Sequence, residues 1–84
     1  MYDYYFTFPT LTASQQALMI LRRSGISADL VKIPLSGRGS GCTNGLGLIS
    51  SSAIRAAAAL RQAAMTPSGM FRREPTGWLR EVWL

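Results

Sequence analysis

The sequence predicts a small α+β fold, an antiparallel sheet carrying two helices on one face. Two observations lead there. Strand-like and helix-like stretches follow one another in the order βαββαβ, separated by proline, glycine and serine punctuation. The chain has 84 residues, 48% of them apolar, which is enough for one modest core and too little for two.

The first strand is read at Tyr2–Phe8, where aromatic and β-branched residues alternate until Pro9. Thr12-Ala13-Ser14-Gln15 has the spacing of a capping box, so a helix is expected to begin there. Its apolar face collects Ala13, Ala17, Ile20, Leu21 and Ser24, with Gln15, Gln16, Met19, Arg22 and Arg23 on the other side. Gly25 supplies the left-handed residue that closes it. Ala28–Ile33 alternates again and meets Pro34, giving the second strand, and Leu46–Ile49 is the third. Ser50, Ser51 and Ser52 offer caps for a second helix that runs to about Met65, with Ala53, Ala57, Leu60 and Ala64 inward and Arg55 and Gln62 outward. After the Pro67-Ser68-Gly69 turn, Met70–Arg73 forms the fourth strand.

In that order, right-handed crossovers place both helices on one side of the sheet, which is the ferredoxin-like arrangement. Residues 1–73 form this single domain, and residues 74–84, with two tryptophans, are read as a C-terminal tail.

Composition removes several function classes. There is one cysteine and no histidine, so neither an internal disulfide nor a Ser-His-Asp relay can form within the chain, and no zinc site of the Cys/His kind is expected. Neither a metal nor another cofactor is expected. The N-terminal stretch lacks the basic and apolar regions of a signal peptide, and no run approaches the length of a membrane span, so a cytoplasmic protein is expected. Nine Lys/Arg against four Asp/Glu give a net charge of +5, which suits acidic protein surfaces, nucleic acid or anionic substrates, or simply a solvated basic surface.

The single thiol, Cys42, lies in a glycine-dense run from Gly37 to Gly47 rather than in an apolar periodic segment. A core cysteine behaves as a small hydrophobe. Here its neighbours are five glycines, two hydroxyls, an amide and a guanidinium, which mark a reachable loop sulfur. Backbone N–H groups and Arg38 favour the thiolate below a free thiol's pKa of about 8.5. Thr43 and Asn44 are placed to hydrogen-bond the sulfur, and Gly41 and Gly45 to shape the backbone around it, although all four are also ordinary turn formers.

From about Tyr4 to Phe71 the order of features resembles the selenium/sulfur carrier family of small bacterial domains. The features are an aromatic strand into Phe8-Pro9-Thr10, a helix with Ala17 and Leu21, Gly25-Ile26, the Val31–Pro34 strand and the Gly41-Cys42-Thr43-Asn44-Gly45 loop. The loop is longer here than in the family, and the tryptophan tail departs from the family's short ending. The resemblance implies a carrier that holds sulfur or selenium on Cys42 as a persulfide or perselenide, rather than a multiple-turnover enzyme. It implies a cysteine desulfurase as donor, and selenophosphate synthetase or a molybdenum-enzyme maturation factor as acceptor.

Two other readings stay open. One is a non-catalytic partner-binding or regulatory module using Met19 and the Trp78/Trp83 tail; Trp78, Leu79, Val82 and Trp83 equally fit core packing or a homodimer. The other is an RNA-recognition sheet displaying Tyr5 and Phe71 beside Arg72 and Arg73, disfavoured because Leu46-Gly47-Leu48-Ile49 lacks an aromatic. A nucleotide-binding glycine loop is disfavoured, since no Lys-Ser/Thr follows the glycines and Gly37-x-Gly39-x-Gly41 lacks the final spacing of the dinucleotide fingerprint.

Overall fold

The computed structural model of the chain describes residues 2–34 and 42–84. Its elements are β1 (Tyr4–Thr7), α1 (Leu11–Arg23), β2 (Asp29–Pro34), β3 (Cys42–Leu48), α2 (Ser50–Gln62), β4 (Gly69–Arg73) and β5 (Leu79–Glu81). The strands form one antiparallel sheet in the order β2-β3-β1-β4-β5. An α+β fold with two helices is therefore present, with one more strand than the sequence suggests.

Alternation along the strands sorts side chains onto two faces. Phe6 of β1 stands opposite Leu46 of β3 and Met70 of β4, and all three belong to one core with Ala17 and Leu21 of α1 and Ala57 and Leu60 of α2. The helices thus cover the Phe6 face. Phe6, Leu21, Leu46 and Leu60 are fully buried, so truncating Phe6 to alanine removes about 3–5 kcal/mol. The opposite face carries Tyr5, Thr7, Gly45, Gly47, Gly69 and Phe71.

Helix α1 starts two residues earlier than the capping-box spacing predicts. Its cap is Thr10, held extended after Pro9, whose hydroxyl accepts from the Ala13 N–H at 3.0 Å. Met19 points outward as expected, while Ser14 and Leu18 join the buried face; the Ser14 hydroxyl donates back to the Thr10 carbonyl at 3.2 Å.

Helix α2 differs at both ends from the sequence expectation. None of the three serines caps it with a side-chain bond; the Ser50 N–H donates instead to the Asp3 carboxylate at 2.9 Å, a cap delivered from the β1 side of the sheet. A carboxylate there also meets the positive end of the helix dipole. Ala64, expected inward, is exposed and adopts φ +56°. Both helices end in the same paired closure. The N–H groups of Gly25 and Ile26 reach the carbonyls of Arg22 and Leu21, and those of Ala64 and Met65 reach Arg61 and Leu60. Only the first of these uses glycine, at φ +74°.

Strand β3 begins at Cys42 and ends at Leu48, whereas the sequence places a strand only at Leu46–Ile49. The glycines that read as loop lie within the ladder because the space beside them is filled. A Cβ on Gly47 would meet the Tyr2 ring at 2.6–2.9 Å, and one on Gly45 would strike the Phe6 carbonyl and Ile33.

The segment read as a tail is integrated into the sheet. β5 pairs with β4, the Val82 N–H donates to the Met70 carbonyl at 2.8 Å, and Arg61 donates to the Leu84 carbonyl at 2.6 Å. Val82 and Leu84 pack against the core.

Candidate functional site

The backbone of Cys42 pairs with Pro34 at the outermost described rung of the β2–β3 ladder. Below that rung come Ile33 opposite Thr43, Lys32 opposite Asn44 and Val31 opposite Gly45. The ladder to β1 stops at Gly45, which faces Thr7. Positions 42–44 therefore have β2 as their one paired strand among the described residues, leaving the β1-side edge of the backbone unladdered.

The candidate residues divide accordingly. Cys42, Thr43, Asn44 and Gly45 are consecutive strand residues rather than loop residues. Asn44 is half-buried and Gly45 is buried against Phe6 and Ile33, which fixes glycine there for packing reasons as well. Arg38 and Gly41 lie outside the described residues. Sequence reasoning missed Lys32, which stands two rungs, about 7 Å along the ladder, from Cys42 and is exposed. Period-2 alternation of β2 against the glycine run is the signal that would have paired them.

Among the described residues, clefts lie elsewhere. One of about 440 Å³ is lined by Tyr2, Arg22, Gly25, Asp29, Gly47 and Ile49, at the end of the sheet far from Cys42. There the Tyr2 hydroxyl donates to Asp29, and this bond raises the phenol's pKa above its ordinary 10.0. The neighbouring Asp3 is shifted the other way, below 3.8, chiefly by the hydrogen bond from the Ser50 N–H. The second cleft, about 550 Å³, runs between the helices along Gln16, Met19, Ile20, Arg23 and Met65.

The residues of the other readings are also placed. Tyr5 and Phe71 are direct partners on the helix-free face. Arg72 and Arg80 both approach Glu74, at 3.4 and 3.9 Å, and the Arg73 Nε donates to the Tyr2 carbonyl at 3.0 Å. Met19, Trp78 and Trp83 are exposed. Among the described residues there is no group of side chains suited to hold a metal ion, and no helix is long and apolar enough to cross a membrane. No protein-family model matches the chain, and neither a curated protein nor a solved structure does.

Proposed function

We propose that the protein is a chalcogen carrier that holds sulfur or selenium on Cys42 and relays it between partners. The observation that supports this reading is the place of Cys42 at the tip of the β2–β3 ladder, beyond the last rung shared with β1. A sulfur carried there can meet a donor without disturbing the core formed by Phe6, Leu46 and the helices. The Cys42 thiolate attacks the terminal sulfur of a donor persulfide. The Sγ–S bond forms as the donor's S–S bond breaks, and the donor leaves as a thiolate.

The fold fits this reading as a ferredoxin-like sheet with one added strand. The order β2-β3-β1-β4 is what a βαββαβ chain produces when each helix crosses over a neighbouring strand, and β5 extends the β4 edge. The corresponding donor is a cysteine desulfurase, with selenophosphate synthetase or a molybdenum-enzyme maturation factor as acceptor; the compartment is the cytoplasm. A partner-binding module is the second reading, supported by Met19, Trp78 and Trp83, each more than half exposed.

Radiolabelled cysteine supplied with a cysteine desulfurase tests the carrier reading. Label is expected on the wild-type chain, removable by a small thiol, and absent from Cys42→Ser. Equal labelling of the two proteins overturns the assignment.

A further inference from the structure

One cross-strand row on the helix-free face is built differently from the rest of the sheet. Its rungs run Asp29, Gly47, Tyr5, Phe71 and Glu81 across all five strands. The Tyr2 ring lies over Gly47, edge-on to Tyr5 at 6.2 Å between centroids, and its hydroxyl donates to Asp29. The Phe71 ring leans over Gly69, where a Cβ would come within 2.8 Å of it. At the far end the Trp83 indole N–H donates to Glu81 at 3.2 Å while the residue remains 57% exposed. The bare backbone at both glycines is paved by aromatic rings, so the row is an even apolar band with a carboxylate at each end.

A solvated sheet face ordinarily alternates to polar residues. This one presents four aromatics, and Arg73 is its neighbouring cation, forming no ion pair among the described residues. We propose that a second copy of the chain packs on this face, sheet against sheet. Two features select that occupant. Carboxylates at both ends of the row repel a phosphate backbone, which disfavours nucleic acid despite the chain's net charge of +5. The face also carries both signs, Arg73 against Asp29 and Glu81, so it is self-complementary as a twofold contact requires.

The area sets the strength. Five strands about 4.8 Å apart, each about five residues long at about 3.3 Å per residue, span about 400 Å² in projection, of which the corner at Thr7, Ile33 and Gly45 is already buried. Two such faces fall below the roughly 1,200 Å² at which stable specific interfaces begin, so the dimer is a weak, reversible one.

Sedimentation equilibrium of the full chain, with reductant present to exclude a Cys42 disulfide, is the test. A reversible monomer–dimer equilibrium at micromolar concentrations is expected for the wild type. Phe71→Lys and the exposed-site variant Trp83→Lys should each weaken it at least tenfold, with unchanged circular dichroism for Trp83→Lys. A wild type that stays monomeric into the hundreds of micromolar overturns the proposal. So does a dimer that a folded Trp83→Lys leaves intact. Single-stranded RNA bound by the wild type and lost on Tyr5→Ala likewise assigns the face to another occupant and overturns it.

Discussion

Replacing Ala64 with glycine is expected to stabilise the protein. Ala64 closes α2 in the left-handed region at φ +56°, where its Cβ crowds the neighbouring carbonyl at a cost of about 1–2 kcal/mol. Glycine removes that strain but widens the unfolded ensemble, which returns about 0.4–1 kcal/mol. The methyl is exposed, so little burial is lost. The net gain is about 0.5–1 kcal/mol, or about 3–6 °C in Tm for a domain of this size. Gly25 is the built-in control. It closes α1 with the same hydrogen bonds at φ +74°, and no atom lies within 4 Å of the place a Cβ would take. Gly25→Ala should therefore lower stability through conformation alone, by a similar amount. Thermal and urea unfolding followed by circular dichroism, at one fixed protein concentration because association shifts Tm, provide the comparison. A lowered Tm for Ala64→Gly, or an unchanged one for Gly25→Ala, refutes the argument that backbone conformation governs these two termini.

Gly47→Ala should destabilise by about 1–3 kcal/mol, because the new Cβ meets the Tyr2 ring at 2.6–2.9 Å. In a Tyr2→Ala background the penalty should shrink, a coupling that a double-mutant unfolding cycle measures. Asp3 titrates below its ordinary value in the fold, so its contribution is present above pH 3.8 and is lost as pH falls through the depressed value. Asp3→Asn should lower stability at neutral pH and flatten the acid limb of stability against pH. Tyr2 is shifted upward, so its contribution is present below pH 10.0 and disappears as pH rises through the higher folded value. Tyr2→Phe should flatten the alkaline limb, read by unfolding across that range.

Local patterning carried much of the fold. Tyr4–Thr7 and Asp29–Pro34 alternate clearly, and Leu21 and Leu60 fall on helical faces that the sheet covers. What the sequence concealed was decided at long range. β3 was half hidden because Gly45 and Gly47 have poor strand propensity, while Tyr2, Phe6 and Ile33 occupy the volume that their missing side chains leave. The α2 cap was hidden because Asp3 lies 47 residues before Ser50 and no local pattern joins them. β5 has three residues and no alternation to read; its identity comes from pairing with Phe71–Arg73. Cys42 was legible as the lone thiol among glycines, and Tyr5 and Phe71 as partners across a sheet. The placements of Lys32, Tyr2 and Trp83 required the register and the long-range contacts, which bring together residues far apart in the chain.

The carrier reading rests on whether Cys42 can be charged with a chalcogen and give it up. Intact mass spectrometry of the chain after incubation with a cysteine desulfurase and cysteine measures this directly. A gain of one sulfur atom per chain, mapped to the peptide containing Cys42 and discharged by added thiol, is the predicted result. An unchanged mass while the desulfurase turns over, or sulfur that also appears on a folded Cys42→Ser chain, would contradict it.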